Sequence, residues 1–570
     1  MKRHRPHKLL LASIVALATV VSTSLPSKSA SIFDLLPDGP ATPGYLGFTF
    51  EETRPNLFQS VSTISSNVRR NDKNDIGGMY LCASMDDPEC SKGSDITAQL
   101  ILPPCAIATQ RMCIESLALG SGTGPLEQAQ LGREIAGPRT PADPLTGLPA
   151  GGGPSLWNAP TITNQAGTKN YGVSVKVTYY QNREGMGSAS KRSAPISLQS
   201  MRIDVFPVEI IPGDFSPLET YASVNPDGAA TFGVRPTGEA RGISQDPAWL
   251  DSGSYGKVID FARDTRAALT VRMGNEMTGW LYGRLKDIRV DVTPLDGKFN
   301  KITIEGAPVA APGAYGVIKK SELKNYPAID ARLRLGSNDF GYNELVNTPG
   351  TRGGGYSPVG NFVDFAAFEP ILKTIPGAKS QWLIQSGASA NGYRPQVTSQ
   401  CFNDKTKLLG IVTTNALIYE NGAPEFKNGT LNYKVAGLRH LADGVTLTRG
   451  TYDLAIRSET ARCVYGFSDA PFQASISVID ADGQEQTIAT ESIREDAKRE
   501  WLFLSAQNFT FSSPVIKVKL TQEKKLAEPA IKTTTTAKKS VKRTITCIKG
   551  KVTRKIIATN PKCPTGFKIR

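Results

Sequence analysis

The sequence predicts a mostly β protein, with two or more antiparallel β-sandwich-like domains, few short helices and a small disulfide-stapled hairpin module at the C-terminus. Apolar and polar residues alternate in several segments, such as 173–179 and 302–304, and this period of two is typical of half-buried strands. Asp-Gly and Asn-Gly pairs such as Asn428-Gly429 separate the apolar segments, and these pairs accept the positive φ of tight hairpin turns. The eight cysteines fall into local, even-numbered groups, which is typical of disulfides.

Other segments extend the strand pattern and add little helix. The alternation recurs at residues 269–273, 288–292 and 516–520, which we expect to be strands. The aromatic residues between positions 501 and 511 are expected to enter a core. Short helices are expected at residues 128–135, 321–325, 364–374 and 493–500.

Changes of composition divide the chain into segments. Residues 120–160 contain sixteen glycines or prolines, which break helices and central strands. A threonine run among lysines, with few apolar residues, favours a solvated linker near residue 535. The predicted segments are 1–30 (signal peptide), 31–119 (N-terminal Cys-rich β segment), 120–164 (Gly/Pro-rich loop or linker), 165–399 (β-rich central domain), 400–521 (β-sandwich domain), 522–543 (disordered basic linker) and 544–570 (disulfide-stapled basic module).

The N-terminus has the pattern of a secretory signal peptide. Four basic residues within the first eight precede an apolar run at residues 9–21, and small residues follow it up to Ser29-Ala30, where cleavage is expected. The run is shorter than the roughly 20 residues that span a bilayer, and retention as an anchor is the alternative. We therefore expect a secreted or cell-surface protein whose mature chain has no transmembrane span.

The positive charge of the chain belongs to its two ends. The formal net charge is +14, but residues 1–30 contribute +5 and residues 521–570 contribute +12, which leaves −3 for residues 31–520. Nucleic-acid binding needs clustered Lys and Arg on the folded surface, so no nucleic-acid partner is predicted. A cationic tail favours salt-sensitive attachment to an anionic cell-wall polymer or a surface glycan.

All eight cysteines are expected to form disulfides, because even groups behind a secretory signal are typical of extracellular proteins. A zinc site is not predicted, since the sequence has no CxxC pair and almost no histidine. In the first group, Cys82 pairs with Cys90 and Cys105 with Cys113, or the pairs are nested as Cys82–Cys113 and Cys90–Cys105. Pairing within the two later groups joins Cys401 to Cys463 and Cys547 to Cys563.

The last 27 residues regain the signals of ordered structure. So short a segment buries little core by itself, but a Cys547–Cys563 bond closing a loop of about 15 residues would contribute roughly 3 kcal/mol. Residues 545–551 (ITCIKGK) and 561–568 (PKCPTGFK) resemble a short C-terminal module found on many secreted actinobacterial proteins. Residues 279–287 (GWLYGRLKD) and the 401–520 segment are similar to large secreted actinobacterial proteins with no assigned activity. Neither resemblance implies catalytic residues.

Histidine is too scarce for most nucleophilic or metal chemistry. The chain has three histidines, and only His440 lies beyond the predicted signal peptide. It precedes the Asp443-Gly444 turn, so we interpret it as a strand-end residue rather than part of a catalytic triad. The segment 480–485 (DADGQE) resembles the start of a calcium loop, but its flanks favour a hairpin turn. No catalytic, cofactor-binding or metal-binding residue is predicted, and no cofactor.

Paired carboxylates are the remaining route to an activity, because glycoside hydrolysis needs two acids and no histidine. Asp246, Trp249 and Asp251 are close together in the sequence, with Tyr255 nearby. Ordinary helices and loops also contain such residues. This interpretation predicts a deep cleft lined by two acids and by Trp249 or Trp280.

Two functional hypotheses follow. The first is a secreted, cell-envelope-associated, non-enzymatic β protein with a structural or interaction role, whose basic tail serves wall attachment or sorting. The alternative is a secreted polysaccharide hydrolase that uses a carboxylate pair.

Overall fold

The computed structural model describes residues 45–69, 76–88, 93–183, 194–224, 230–235, 247–275, 279–335, 345–346, 362–387, 400–404, 406–468, 472–479, 483, 485–486, 490–511, 515–522 and 542–570. The predicted mostly β fold is confirmed, with 57% strand and 9% helix. The chain forms two compact units. The first contains the described residues up to 468 and those from 474 to 520, and the second contains residues 472–473 and those beyond 520.

The described strands follow in chain order: β1 (Tyr45–Phe50), β2 (Thr63–Arg69), β3 (Ile76–Cys82), β4 (Asp95–Ile101), β5 (Cys113–Ser121), β6 (Glu127–Gln128), β7 (Gln130–Glu134), β8 (Ser155–Asn158), β9 (Asn170–Asn182), β10 (Ser197–Pro212), β11 (Glu219–Val224), β12 (Ala230–Arg235), β13 (Pro247–Asp251), β14 (Ser254–Val258), β15 (Thr265–Gly274), β16 (Gly279–Asp296), β17 (Phe299–Ala311), β18 (Ala314–Lys319), β19 (Leu345–Val346), β20 (Lys373–Thr374), β21 (Lys379–Gly387), β22 (Leu408–Thr414), β23 (Ile418–Tyr419), β24 (Glu425–Lys427), β25 (Thr430–Ala436), β26 (Arg449–Arg457), β27 (Phe472–Ile479), β28 (Glu485–Gln486), β29 (Thr490–Glu495), β30 (Trp501–Thr510), β31 (Val515–Gln522), β32 (Arg543–Lys549), β33 (Val552–Ala558) and β34 (Lys568–Ile569). The described α-helices are α1 (Pro327–Leu335), α2 (Phe362–Phe368) and α3 (Ser458–Tyr465), and short 3-10 helices lie at Leu57–Gln59, Lys320–Asn325, Glu369–Ile371 and Gln400–Phe402.

The largest sheet has the strand order β3-β2-β4-β9-β10-β21-β16-β22-β26-β30-β29. All of these neighbours are antiparallel except β16 and β22, which run parallel. The pairing of β16 with β22 joins the segments 165–399 and 400–521, which the sequence predicted as separate domains, within one sheet. The described residues of both segments lie in the first compact unit, except 472–473 and 521.

A second sheet branches from the long strand β16. The first half of β16 pairs with β21 and β22, whereas its second half pairs with β17 in the order β16-β17-β15-β5-β6. Alternating apolar residues of the two sheets, such as Val175 and Leu269, belong to one buried cluster. The main core therefore lies between two sheets that share β16.

Smaller sheets complete the first unit. Strands β19-β1-β18-β20 form a sheet whose core includes Phe50, Phe365 and Phe368, and the last two belong to α2. Strands β23-β25-β31-β27-β28 form another sheet, with β24 paired to β25. The turn between β24 and β25 is the predicted Asn428-Gly429 pair, whose φ values are +54° and +74°.

Two expected helices are wrong. Residues 130–134, within the expected helix at 128–135, form β7 and pair with β8. Residues 490–495, overlapping the expected helix at 493–500, form β29 and pair with β30. In both cases hydrogen bonding to the next strand along the chain overrides local helix propensity. The expected helices near 321–325 and 364–374 correspond to Lys320–Asn325 and to α2 with Glu369–Ile371.

Three of the predicted segments, 120–164, 1–30 and 522–543, are described to different extents. The segment 120–164, expected to be a loop or linker, contains β6, β7 and β8 within the first unit. The predicted signal peptide and most of the 522–543 linker lie outside the described residues. No described helix has the length and apolar character needed to cross a bilayer.

The close approach of β16 and β21 requires glycine at position 283. A Cβ atom there would overlap the carbonyl oxygen of Leu383, whereas one at Gly297 would meet no atom within 4 Å. We therefore expect Gly283→Ala to lower the free energy of unfolding by about 1–3 kcal/mol. Equilibrium urea denaturation measures the change, with Gly297→Ala as the matched control. Equal effects of the two substitutions would contradict this packing.

Candidate functional site

The cysteine groups give definite pairs. Cys105 bonds to Cys113 with a Cα–Cα distance of 5.0 Å, which fits the simpler of the two expected arrangements and excludes the nested one. Cys82 is also disulfide-bonded, while Cys90 lies outside the described residues. The two other expected bonds are present, Cys401–Cys463 at 5.9 Å and Cys547–Cys563 at 5.7 Å.

The described residues of the hydrolase hypothesis, Trp249 and Asp251, are engaged in structural contacts. Trp249 is 1% exposed and packs against Phe206 with 5.6 Å between ring centroids. Asp251 forms an ion pair with Arg133 at 2.8 Å. Asp246 lies outside the described residues.

The other predicted aromatic and His440 also lie in structural settings. Trp280 is buried and meets Phe402 edge-on, with 5.1 Å between ring centroids. His440 forms an isolated β-bridge with Leu447, and its carbonyl oxygen accepts a hydrogen bond from Thr374 Oγ1 at 2.6 Å. The residues of the 480–485 turn, apart from Gly483 and Glu485, lie outside the described residues.

A buried ion pair joins β16 to the segment that follows β1. Arg284 of β16 and Glu52 are both buried, and Nη2 of Arg284 lies 3.1 Å from Oε2 of Glu52. Tyr419 donates its hydroxyl hydrogen to the same carboxylate oxygen at 3.0 Å. The Arg284 guanidinium also lies over the Tyr419 ring, 4.2 Å from its centroid.

The remaining donors of Arg284 point to backbone carbonyls between β22 and β23. They are satisfied by the carbonyl oxygens of Thr414 at 3.2 Å, of Ala416, and of Leu417 at 3.4 Å. Gln385 completes the cluster with a hydrogen bond to Glu52 Oε1 at 3.4 Å. Because the charges are compensated and enclosed, this cluster has the character of a structural element.

A surface pocket of about 140 Å³ lies between β16, β26, β29 and β30. Its buried base includes Asp453 of β26, Phe503 and Ser505 of β30, while the exposed Asp287, Arg289, Ser492 and Arg494 form its rim. Asp287 has a φ of +56° at a β-bulge in β16, where the pairing with β17 shifts register. Bulges re-aim backbone groups and are over-represented beside functional sites.

The bulge directs the backbone of β16 at Asp453. The backbone N–H of Asp287 donates to Oδ1 of Asp453 at 3.1 Å. Within the described part of the chain, Oδ2 of Asp453 is buried and has no hydrogen-bond partner. Burial, followed by the charge of Asp287, raises the pKa of Asp453 to about 8. The carboxyl group therefore holds its proton at neutral pH and can donate a hydrogen bond.

Two arginines, Arg289 and Arg494, line the same pocket as this carboxyl. Arg494 lies over the ring of Phe503, 4.2 Å from its centroid. Burial, followed by the charge of Arg289, lowers the pKa of Arg494. Among the described residues, neither arginine forms a salt bridge. This arrangement can bind negatively charged groups.

The C-terminal module is a separate candidate for binding. Its strand order is β33-β32-β34, so the predicted hairpin is present with one additional strand. Residues 542–570 contain nine Lys or Arg and no Asp or Glu, and every one of these basic side chains is exposed. Cys547, at the centre of the sheet, is the buried residue of the module. The disulfide consequently supplies the stabilisation that a larger core would provide elsewhere.

Comparison with protein-family models, with curated proteins and with solved structures finds no match to this chain. The fold and the sites define a disulfide-bonded, mostly β protein with a cationic C-terminal module. Among the described residues, no group of three or more His, Cys, Asp or Glu side chains is placed to hold a metal ion.

The sequence reasoning missed the pocket and the buried ion pair. Asp453 is the single charged residue in the apolar run 452–456 (YDLAI), and Arg284 stands inside the run 280–285 (WLYGRL). A charged residue within a predicted buried strand is rarely buried without a partner. This signal could have identified both residues, although it could not have identified the residues that surround them.

Proposed function

We propose that this chain is a non-enzymatic, extracellular β protein of the cell envelope, held at an anionic surface polymer by its C-terminal module. The observation that carries the proposal is the set of nine exposed Lys and Arg side chains, without an acid, on the disulfide-stapled sheet of residues 542–570. Clustered cations bind polyanions through electrostatic attraction that salt weakens.

Two further features support this proposal. Disulfides are typical of extracellular proteins, and described disulfides occur in both compact units. Exposed apolar side chains, Val552, Ile557 and Ile569, accompany the cations in the module. They would add contacts with the non-ionic parts of a polymer. The proposal also includes the resemblance to secreted actinobacterial proteins and a role of the basic tail in sorting.

The hydrolase alternative has less support. It requires two carboxylates flanking a bound sugar chain, and the pocket that contains Asp287 and Asp453 is about 140 Å³. Pockets that enclose larger organic ligands are typically about 300–1,000 Å³. The two arginines that line the same pocket also favour binding of a small anion over binding of a neutral sugar.

Charge neutralisation in the full-length protein tests the attachment proposal. We expect a variant with four module cations changed to Gln to elute from polyphosphate and hyaluronan columns at clearly lower salt than the wild type, and to leave isolated cell walls earlier in a salt gradient. The substituted residues are Arg554, Lys555, Lys568 and Arg570, and the matched control changes Lys298, Lys373, Lys427 and Lys434 in the first unit, which are also exposed.

The control separates a local effect of the module from an effect of net charge, because both variants lose four positive charges. Circular dichroism and free-thiol titration verify that the variants keep the fold and the disulfides. Identical elution of the two variants would contradict a specific role for the module. Retention of the wild type that does not depend on salt would contradict electrostatic attachment.

A further inference from the structure

We propose that the pocket between β16, β26, β29 and β30 binds an oxyanion, a carboxylate or phosphate group of a small ligand, between Arg289, Arg494 and the carboxyl group of Asp453. This site belongs to the first unit and does not rest on the proposed role of the C-terminal module.

The arginines provide the first argument. Arg289 and Arg494 line the same pocket, and the charge of Arg289 contributes to lowering the pKa of Arg494. Two adjacent cations repel each other, and the carboxylates of Asp496 and Glu305 offset part of this repulsion at Arg494. An anion between the two arginines would remove the rest. Phe503 fixes one face of the Arg494 guanidinium, which leaves its edge for the parallel hydrogen bonds that carboxylates and phosphates accept.

The base of the pocket provides a second, independent argument. Asp453 is 3% exposed, and its Oδ1 accepts a hydrogen bond from the Asp287 backbone N–H. The Ser505 hydroxyl also interacts with the carboxyl group, but Oδ2 has no hydrogen bond of normal length among the described residues. An unsatisfied buried polar atom costs free energy. The raised pKa of Asp453 supplies a proton at this oxygen, so the carboxyl can donate to an anion.

The size of the site limits the ligand. A volume of about 140 Å³ accommodates a single phosphate or carboxylate group with a few attached atoms. The hydroxyl of Ser492 also lines the pocket and can donate a hydrogen bond to the same group, whereas the Ser505 hydroxyl interacts with Asp453. The ligand is therefore a small oxyanion, or the anionic end of a larger molecule that remains outside.

The charged groups around Asp453 determine how binding depends on pH. The charges of Asp287 and Lys286 on β16 act on Asp453. Arg289 of β16 and Arg494 of β29 line the same pocket, whereas β22 and β30 carry no charged residue. Deprotonation of Asp453 would replace a donor by a second negative charge beside Asp287. Oxyanion affinity should therefore fall as the pH rises through about 8.

A cation is the competing ligand, because two carboxylates also line the pocket. The two possibilities make opposite predictions for conservative variants. Asp453→Asn keeps an oxygen for the Asp287 N–H and places an NH2 donor where a cation would need an acceptor. Asp287→Asn removes a negative charge from the rim and suits the left-handed backbone at this position.

Calorimetric titration of the full-length protein with inorganic phosphate and with glucuronate tests the proposal, with glucose and calcium chloride as comparison ligands. We expect one or both anions to bind, and Arg289→Gln with Arg494→Gln to weaken binding by at least about tenfold. Arg449→Gln, at an exposed arginine of β26 outside the pocket, is the control for loss of charge. The ratio of phosphate to glucuronate affinity identifies which anion the site prefers.

The carboxyl variants complete the test. Asp287→Asn should tighten anion binding severalfold, and Asp453→Asn should remove its pH dependence and bind more tightly than the wild type above pH 8. The proposal is overturned if neither anion binds at millimolar concentration, or if the paired arginine substitutions weaken binding no more than Arg449→Gln does. Calcium binding that both asparagine substitutions abolish would also overturn it, in favour of a cation site.

Discussion

Replacing Arg284 with methionine should lower the free energy of unfolding of the first unit by about 3–5 kcal/mol. The substitution keeps an unbranched side chain of similar length but removes the positive charge. Glu52 would then lose the counter-ion that lies 3.1 Å away in the native protein. The carbonyl oxygens of Thr414, Ala416 and Leu417 would also lose the donor that they share.

A double-mutant cycle distinguishes the loss of an ion pair from a general packing defect. Glu52→Gln combined with Arg284→Met should be less destabilising than the sum of the single substitutions, because the double variant has no uncompensated buried charge. The exposed pair Lys498–Asp291, with 3.0 Å between Nζ and Oδ1, provides the comparison. Lys498→Met should change stability little, because water screens that pair.

Equilibrium urea denaturation of the four variants gives the required differences. The interpretation would be wrong if Arg284→Met and Lys498→Met had the same effect, or if the double variant lost the full sum of the single effects. A large, non-additive loss of unfolding free energy would instead show that this buried ion pair stabilises the first unit. Arg284 lies in β16, the strand that both sheets share.

Local patterns in the sequence were sufficient for much of the secondary structure. Alternating residues of β9 and β17 are buried on one face, and the Asn428-Gly429 turn adopts the positive φ values that its residues tolerate. These features depend on residues that are adjacent in the chain. The disulfides within the local cysteine groups were accessible for the same reason.

Features that depend on pairing with another strand were not accessible from local patterns. The residues of β7 and β29 have fair helix propensity, but their hydrogen bonds to β8 and β30 decide their conformation. The candidate site has the same origin. Asp287 and Asp453 are separated by 166 positions, and β16 reaches β26 only because β22 lies between them in the sheet.

Replacing Asp453 with asparagine should stabilise the protein, and the gain should grow as the pH rises from about 4 to about 8. In the native protein Asp453 has a pKa of about 8 instead of the usual 3.8, chiefly because of burial. Between these values the folded chain holds a proton that the unfolded chain has released. The free energy of unfolding of the wild type therefore falls with rising pH through this window and levels off above it.

Asparagine does not titrate, so Asp453→Asn escapes this loss, which is roughly 6 kcal/mol at the upper end of the window. Asp443→Asn provides a control of opposite sign. Hydrogen bonds from the Thr446 side chain and from backbone N–H groups lower the pKa of Asp443, so its contribution is present above the usual pKa and is lost as the pH falls through the native value. Urea denaturation at several pH values measures both profiles.

The two pH profiles show whether the pKa of Asp453 is raised in the folded protein. If the Asp453→Asn and wild-type curves ran parallel between pH 4 and pH 8, Asp453 would be ionised in the native protein and the pocket would carry a second negative charge. If the gain appears, the wild type retains a costly carboxyl at the base of the pocket where asparagine would be more stable. Retaining a destabilising ionisable group in this way is typical of binding sites, where the group serves recognition instead of stability.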